Sequence, residues 1–244
     1  MPDLKVHIVP VLNDNYAYIL EGQDRKVAII DPGEAGPVKQ AIEEQGFQPQ
    51  YILLTHHHGD HIGGVDDLQV AYKCKIFGPK KDAPRLPDLD TQLEGEETFE
   101  ILGKKIEVIE TPGHTQNHIC FYIPQDEGEN ILFAGDTLFS MGCGRVFEGT
   151  MEEMHKSLQD LKSLPEDTKI YCGHEYTLSN LRFALSEFPD DQELAQKLEE
   201  VQEIRDKGRP SIPSTLREEK ALNPFLKARS AEEFADIRRK KDAA

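Results

Sequence analysis

The stretch LLTHHHGDHIGG, residues 53–64, places four of the chain's nine histidines and one aspartate within six consecutive positions. Imidazole nitrogens and carboxylate oxygens are common ligands of zinc, iron and manganese, so this composition indicates metal chemistry. One residue separates His56 from His58, and an extended backbone directs alternate side chains to the same face. His57 then faces the opposite way, and we interpret it as a structural or supporting residue. A metal site on this stretch needs partners elsewhere in the chain.

Three later segments share one pattern, in which an apolar strand runs into a glycine and then into a metal-type side chain. They are VIETPGH ending at His114, ILFAGD ending at Asp136 and KIYCGH ending at His174. The first stretch has a similar arrangement, with Gly59 before Asp60. Glycine allows a sharp turn and keeps a side chain out of a crowded site. Because layered sheet proteins bind ligands at strand ends, we expect these residues to meet there.

The candidate ligands comprise five imidazoles and two carboxylates, namely His56, His58, Asp60, His61, His114, Asp136 and His174. One tetrahedral zinc needs only three protein ligands and a water, so seven ligands suit two ions if one carboxylate bridges them. A surface patch that scavenges metal is the alternative, but it would not need glycine-flanked partners at three distant strand ends. We interpret His7, His118 and His155 as structural or surface residues.

The elements that must position these residues change in character along the chain. Short runs with β-branched or aromatic centres predict strands in the first part, as in VAIID, YILL, KIEVIETPG, HICFYIP, NILFAGD and TKIYCGH. Two stretches between these strands, GPVKQAIEEQG and TMEEMHKSLQDLKSLP, have the apolar spacing of helices. We therefore predict a strand-rich, metal-binding catalytic domain over residues 1–173.

The chain beyond Tyr176 predicts helices. One predicted helix face carries Leu178, Leu181, Leu185 and Phe188, and a second carries Leu194, Leu198, Val201 and Ile204. The stretch KGRPSIPSTLREEKALNPFL predicts an ordered loop, and SAEEFADIRRKK predicts a last helix with Ser230 as its N-cap. Residues 174–244 are thus predicted to form a small helical domain, to which the family resemblance described below assigns substrate binding.

Composition limits the classes of partner. The 244 residues carry a formal net charge of -17, which argues against nucleic acid because phosphate binding needs a basic footprint. We see neither a signal peptide nor an apolar run of the roughly 20 residues that a membrane span requires, so we expect no membrane partner. The cysteines have no paired spacing, and we interpret Cys74, Cys120, Cys143 and Cys172 as reduced thiols of a cytoplasmic protein.

The motifs THHHGDH, TPGHT, FAGDT and CGHEYT resemble the metallo-β-lactamase superfamily. GDTLF, GCGRVFEGT, CGHEYTLSN and NPFL narrow the resemblance to the glyoxalase II (hydroxyacylglutathione hydrolase) family, over nearly the whole chain. The resemblance implies an α/β fold, an αββα sandwich followed by a small all-α domain. It implies one metal ion on His56, His58 and His114, a second on Asp60, His61 and His174, and Asp136 shared between them.

The activity implied by the resemblance is hydrolysis of S-(2-hydroxyacyl)glutathione, usually S-D-lactoylglutathione, to glutathione and a 2-hydroxy acid, the second step of methylglyoxal detoxification. Its nucleophile would be a hydroxide bridging two divalent ions, with Asp60 and Asp136 as catalytic residues. Zinc is the expected metal, with iron or manganese as alternatives. We expect a monomer that binds this small substrate. Cys143 is interpreted as a small residue near the site, and Asp31 as either an acceptor for a ligand histidine or a turn cap.

The glutathione-binding residues of the family correspond unevenly to this chain. Tyr176 matches a tyrosine that contacts the tripeptide. Arg145 and Phe147 stand where animal members have a lysine and a tyrosine, so the charge is kept and one hydroxyl is lost. Arg238 and Lys241 match the basic pair that holds the glycine carboxylate. The alternative for the basic run 238–241 is compensation of the dipole at a helix C-terminus.

Three other functions are weighed against this one. Persulfide dioxygenases resemble the chain, but they use a single iron and need fewer ligands than the seven present, so metal content per chain separates the two. A nuclease of the superfamily is disfavoured by the negative charge. A protein that holds metal without turnover is left open by the sequence.

Overall fold

The structure, a computed structural model, describes residues 4–125 and 128–244. Its strands are β1 (Lys5–Val11), β2 (Asn15–Glu21), β3 (Lys26–Ile30), β4 (Gln48–Leu53), β5 (Lys75–Pro79), β6 (Thr91–Leu93), β7 (Thr98–Ile101), β8 (Lys104–Glu110), β9 (Ile119–Ile123), β10 (Ile131–Gly135), β11 (Leu138–Phe139), β12 (Gly142–Cys143), β13 (Lys169–Cys172) and β14 (Ser214–Thr215). Its helices are α1 (Ala35–Gln45), α2 (Gly59–Ile62), α3 (Val65–Tyr72), α4 (Met151–Lys162), α5 (Thr177–Glu187), α6 (Gln192–Asp206), α7 (Leu216–Leu222), α8 (Pro224–Lys227) and α9 (Ala231–Ala243).

Two six-stranded mixed sheets form the centre of the molecule. The first has the order β1-β2-β3-β4-β5-β6, and the second has the order β14-β13-β10-β9-β8-β7. Strands β3 to β6 pair in parallel, as do β10 and β13, while the other pairs of the two sheets are antiparallel. The two-stranded ribbon β11–β12 follows β10 and leads away from the second sheet.

Alternation along the strands explains how the layers stack. In β10, Ile131 and Phe133 point between the sheets, while Leu132 and Ala134 point to the outer face. Apolar residues of α1 and α3 cover the outer face of the first sheet, and those of α4, α8 and α9 cover the outer face of the second. Both faces of each sheet are therefore buried, and the αββα sandwich that the sequence predicts is confirmed.

Three predicted helices are confirmed at their ends. Helix α1 ends at Gly46, which adopts a left-handed conformation with φ 66°. Helix α4 begins with a capping box in which Thr150 and Glu153 satisfy each other's backbone N–H groups. Helix α9 begins at Ser230, whose hydroxyl accepts a hydrogen bond from the Glu233 amide at 3.2 Å.

The last third of the chain departs from the prediction in two places. Phe188 follows α5 as its capping residue and is 42% exposed, so its placement on the buried helix face is wrong. The stretch predicted as an ordered loop contains β14, α7 and α8, and β14 extends the second sheet beside β13. The missed signal is Thr215 three residues before Glu218, which form a capping box at the start of α7. The boundary at residue 173 stays a prediction.

Within the described part of the chain, no helix has the length and apolar character needed to cross a membrane.

A buried carboxyl group ties α7 to the β11–β12 ribbon. Glu219 has no exposed surface, and its Oε2 accepts hydrogen bonds from the Met141 amide at 2.9 Å and from Asn223 Nδ2 at 2.8 Å. Asn223 Nδ2 also donates to the Gly142 carbonyl at 3.0 Å. Burial raises the pKa of Glu219 to about 7, because the ionised form loses its hydration.

Glu219 should make the protein less stable as the pH rises from about 4.5 to about 7. Below this pH range the Glu219 carboxyl group is protonated in both the folded and the unfolded protein. Within the range the carboxyl group of the unfolded chain, with a pKa of 4.5, ionises, whereas the folded protein still holds the proton. The free energy of unfolding should fall by about 3 kcal/mol, at ~1.36 kcal/mol per pKa unit. Urea unfolding of metal-depleted wild type and Glu219→Gln across this range checks it, and equal slopes for the two proteins would contradict it.

Candidate metal centre and substrate cavity

The candidate ligands lie together at one edge of the sandwich, directly after the strands that the sequence indicates. The segment after β4 provides His56 and His58, helix α2 provides Asp60 and His61, and the turns after β8, β10 and β13 provide His114, Asp136 and His174. They form two groups whose ligand atoms lie within 4.8 Å of one another, His56 with His58 and His114, and Asp60 with His61 and His174.

Asp136 contacts both groups. Its Oδ2 lies 3.3 Å from His114 Nε2 and 3.2 Å from His174 Nε2, and its Oδ1 lies 3.3 Å from His61 Nε2. One carboxylate therefore reaches an imidazole of each group, which is the position that a shared ligand requires. The ligand count predicts one shared carboxylate, and the family resemblance implies that it is Asp136.

Several inward-facing atoms of the cluster are buried without a hydrogen bond. Within the described residues, His56 Nε2, His61 Nε2 and Asp136 Oδ1 have no hydrogen-bond partner. A buried polar atom left unsatisfied costs about 1–3 kcal/mol, so three of them in one cluster need a common explanation. Metal ions would supply it, and the residues present fit a metal. Together with the fold, the histidine–aspartate clusters indicate a dinuclear metal site.

Each of four imidazoles is held from behind through Nδ1, while its Nε2 faces the cluster. The Nδ1 partners are Thr55 Oγ1 for His56 (3.0 Å), Asp31 Oδ2 for His61 (3.1 Å), the Arg145 carbonyl for His114 (2.9 Å) and Asp14 Oδ1 for His174 (2.9 Å). The carbonyl and the carboxylates can only accept, so Nδ1 donates to them and Nε2 keeps its lone pair in the neutral ring.

The same reasoning applies to His56 and explains Asp31. The Thr55 hydroxyl donates its one proton to Asp31 Oδ2 at 2.6 Å, so it must accept from His56 Nδ1. Asp31 Oδ1 accepts from the Thr55 amide at 2.8 Å. Asp31 also lies within ligand distance of His56 and His61, but its oxygens are already occupied. It acts on the centre by orienting His61, which is one of the two roles the sequence leaves open.

Sequence reasoning missed Asp14 and Thr55. Asn15, beside Asp14, donates from Nδ2 to Asp60 Oδ2 at 2.8 Å, so the turn before β2 supports two candidate ligands. The polar run NDN before a buried strand was the available signal. Its target, His174, lies 160 residues away, and only the folded sandwich brings the two together.

The charges of the cluster divide its histidines into two kinds. Burial lowers the pKa of His56, His58 and His114, which favours the neutral form that metals bind. Burial also disfavours the charged form of His174, but the hydrogen bond to Asp136 and its charge outweigh this and raise the pKa of His174 to about 10. The charge of Asp136 likewise raises the pKa of His61 well above its usual value against the effect of burial. A metal ion that binds on this side displaces protons.

Three of the four glycines before the ligands are required by crowding, but the fourth is not. A Cβ on Gly113, where φ is +149°, would lie 2.7 Å from Met154 Cβ. A Cβ on Gly173 would lie 2.2 Å from Asp136 Oδ1, and one on Gly135, where φ is +46°, would lie 2.6 Å from His118 Nε2. Among the described atoms, nothing lies within 4 Å of a Cβ on Gly59. The explanation by crowding is therefore wrong for Gly59.

His57 points away from the cluster, in agreement with its predicted facing. Its Nδ1 lies 2.9 Å from Asp82 Oδ2. Asp82 is fully buried and also accepts hydrogen bonds from Arg85 Nε at 3.0 Å and Asn117 Nδ2 at 2.9 Å. His57 thus helps to satisfy a buried carboxylate beneath the metal-binding segment.

His57→Ala should keep metal near the wild-type level, whereas His56→Ala should lose it. The first substitution removes one of three donors to Asp82 and should cost about 1–3 kcal/mol of stability. The second removes an inward-facing nitrogen. Metal analysis per chain, with thermal unfolding of the same samples, tests both; equal metal loss in the two variants would contradict the assigned facing.

A cavity of about 510 Å³ opens beside the cluster. Its walls include all five residues predicted to bind the substrate, Arg145, Phe147, Tyr176, Arg238 and Lys241. The Tyr176 ring stacks on the His174 ring, with centroids 4.7 Å apart and an interplanar angle of 6°. Phe147 is 62% exposed and its ring lies 5.2 Å from that of His114. The cavity therefore joins the candidate metal ligands to a basic wall.

The basic run of α9 divides between two faces of the helix. Arg238 and Lys241 line the cavity, whereas Arg239 pairs with Asp236 and Lys240 pairs with Glu187 on the outside. Arg238 is 3% exposed, and its Nη1 donates to the Cys143 carbonyl at 2.9 Å. Compensation of the helix dipole does not account for a buried arginine directed into a cavity.

Cys143 lines the same cavity without the properties of a nucleophile. All four cysteines are buried and unpaired within the part of the chain that the structure describes, as the sequence predicts. Burial raises the pKa of the Cys143 thiol to about 11, so it stays protonated at neutral pH.

The sandwich and its strand-end cluster define a metallo-β-lactamase-type protein. The family model described as "Metallo-beta-lactamase superfamily" matches residues 12–174, and the model "Hydroxyacylglutathione hydrolase C-terminus" matches residues 175–244. The chain belongs to the hydroxyacylglutathione hydrolase family of that superfamily.

Relatives match this chain over nearly its full length. The hydroxyacylglutathione hydrolase of Pseudomonas savastanoi pv. phaseolicola is 46% identical, covering 96% of this chain and 91% of that protein. The hydroxyacylglutathione hydrolase of Methylococcus capsulatus is 41% identical, covering 98% of both. The crystal structure of ETHE1 from Myxococcus xanthus has a TM-score of 0.72 at 24% identity, covers 98% of this chain and 90% of that one, and shows the fold alone.

Proposed function

We propose that this protein hydrolyses thioesters of glutathione with 2-hydroxy acids, S-D-lactoylglutathione among them, to glutathione and the free acid. One observation carries the proposal: a single cavity has histidine and aspartate ligands at one end and Arg145, Arg238 and Lys241 in its wall. A thioester needs an activated water, and the carboxylates of glutathione need cations. The relatives named hydroxyacylglutathione hydrolase support this substrate class.

We propose two metal ions, one on His56, His58 and His114 and the other on Asp60, His61 and His174, with Asp136 shared. The donors are imidazole and carboxylate, which suit zinc, with iron or manganese as alternatives. When bound, such ions activate water at neutral pH and polarise the carbonyl group of a thioester.

The residues of the chain orient the reactants. The imidazole rings are fixed by hydrogen bonds to Asp14, Asp31, Thr55 and the Arg145 carbonyl. The geometry of the candidate ligands is therefore set before substrate binds. Burial raises the pKa of Tyr176 to about 12, so its hydroxyl stays protonated and can donate a hydrogen bond to the substrate. Phe147 contributes an apolar surface next to His114. No covalent intermediate with the protein is required: water adds to the thioester carbonyl, the C–S bond breaks, and glutathione leaves as its thiolate, a good leaving group because the pKa of a free thiol is only about 8.5.

The proposal extends to the whole molecule. Residues 1–173 would supply the catalytic domain and residues 174–244 the substrate-binding domain, with Tyr176, Arg238 and Lys241 on the second. We propose a cytoplasmic monomer with neither a nucleic-acid nor a membrane partner. The net charge of -17 supports the first of these exclusions, and the free cysteines support a reducing compartment.

The decisive experiment combines turnover with metal content. Protein purified without added metal is analysed for zinc, iron and manganese per chain, then assayed with S-D-lactoylglutathione by thioester loss and thiol release. We expect two ions per chain, loss of hydrolysis on chelation and recovery on reloading. A single iron together with oxygen uptake on glutathione persulfide would instead identify a persulfide dioxygenase. Metal without turnover of either substrate would indicate a binding protein.

A further inference from the structure

One carboxylate of the chain contacts two of the cations in the cavity wall. Asp242 Oδ1 lies 2.9 Å from Arg238 Nη2 and 3.5 Å from Arg145 Nε. Asp242 belongs to the last turn of α9, four residues after Arg238. Two of the three cations that the proposed function assigns to the substrate are thus paired with the protein's own carboxylate.

The position of Asp242 is unfavourable apart from these contacts. The C-terminus of a helix carries a partial negative charge, so an aspartate in the last turn is destabilising unless cations compensate it. The acidic residues at the other end of α9, Glu232 and Glu233, are in the first turn, where the dipole favours them. Arg238 and Arg145 provide the compensation for Asp242.

The remaining contacts of Arg238 leave one edge of its guanidinium for an anion. Nη1 donates to the Cys143 carbonyl at 2.9 Å, and the guanidinium carbon lies 5.0 Å from the centre of the Phe225 ring. These contacts fix the side chain in a buried position. Nη2 already contacts Asp242. A substrate carboxylate that binds this arginine with both oxygens must therefore displace the Asp242 carboxylate.

The side chain of Asp242 can rotate into solvent, whereas the side chain of Arg238 is fixed in a buried position. The side chain of Asp242 is 35% exposed, compared with 4% for that of Arg238. Rotation of the aspartate toward water forfeits only a partly exposed ion pair, which is worth little. Arg238 is buried and would be left as an uncompensated charge if Asp242 rotated away alone, so departure of Asp242 requires another anion, such as a substrate carboxylate, in its place.

We propose that Asp242 occupies the place of the substrate carboxylate at Arg238 and Arg145, and that binding of glutathione thioesters displaces it. It acts as an internal competitor that compensates part of the positive charge at Arg238 and Arg145 in the free protein and limits affinity for the substrate. The inference rests on the proposed function, since it takes the glutathione moiety as the competing ligand.

The test compares Asp242→Asn with Asp236→Asn, which removes the same charge from the outer face of the same helix, where Asp236 pairs with Arg239. In Asp242→Asn, KM for S-D-lactoylglutathione should fall about two- to fivefold with kcat unchanged, as expected for release from an exposed ion pair. KM should also depend more steeply on salt, because the cavity becomes more positive. Asp236→Asn should match wild type.

A second readout is independent of catalysis. Calorimetric Kd values for S-methylglutathione should fall by the same factor in Asp242→Asn, and those for its glycine amide, which lacks the carboxylate, should not. An unchanged or raised Kd in Asp242→Asn would mean that Asp242 orients Arg238 rather than competes, and would overturn the inference. Failure of wild type to hydrolyse the thioester would instead refute the proposed function, while the binding comparison would still decide the inference. Absence of binding by both proteins overturns the inference as well.

Discussion

Asp136→Ala should abolish thioester hydrolysis and lower bound metal to one ion per chain or none. Asp136 is the carboxylate in contact with imidazoles of both ligand groups, so its loss weakens both at once. We expect a fall in kcat of at least about a thousandfold, which corresponds to about 4 kcal/mol.

The control for Asp136 must separate charge from shape. Asp136→Asn keeps the volume and the backbone hydrogen bond to His118 Nε2, which is 3.1 Å long, but cannot serve as an anionic ligand. Both variants should lose metal and activity while keeping a cooperative thermal transition. Metal analysis, the thioester assay and thermal unfolding on the same preparations provide the measurements. Two ions per chain and a near wild-type rate in either variant would refute the shared-ligand assignment.

Local chemistry made the candidate ligands predictable from the sequence. Glycine followed by His114, Asp136 or His174 at a strand end is a short-range pattern, and the opposite facing of His57 follows from alternation in an extended backbone. A strand-rich domain followed from the short apolar runs, whereas the αββα sandwich was implied by the family resemblance. These features need no knowledge of the tertiary fold beyond the rule that strand ends meet at one edge.

Contacts between distant segments were not predictable in this way. Asp14 supports His174, and Thr55 orders both Asp31 and His56, but a lone aspartate or threonine in a turn carries no sign of its partner. Strand β14 forms by pairing with the edge of β13, and its two residues are too few to show the alternation of a strand. The contact of Asp242 with Arg145 was hidden because Arg145 lies almost 100 residues earlier, whereas its contact with Arg238 is a local pair four residues apart. In each case the tertiary fold, not the local sequence, selects the partner.

The basic pair of α9 should determine affinity for the glutathione moiety. In the double variant Arg238→Ala with Lys241→Ala, we expect KM for S-D-lactoylglutathione to rise about tenfold to a hundredfold. Charge-assisted hydrogen bonds contribute about 1.5–3 kcal/mol each at best, and ~1.4 kcal/mol corresponds to tenfold. Because the substrate must first displace Asp242 from Arg238, the pair contributes less free energy to substrate binding than this maximum. The rise in KM should therefore be smaller than the sum of the two hydrogen bonds. Turnover should change less, because a pair that holds the glycine carboxylate would contact substrate and transition state alike.

Helix α9 itself provides the matched control. Arg239→Ala with Lys240→Ala removes the same two charges from the outer face, where they pair with Asp236 and Glu187, and should leave KM unchanged. Arg238 also contacts Cys143 and Phe225, so thermal unfolding must confirm that the first double variant is folded at the assay temperature. The wild-type KM should rise with salt, and a short thioester without the glycine carboxylate should respond to neither pair. If the inner pair also leaves KM for the glutathione thioester unchanged, the basic run serves the helix end and not the substrate.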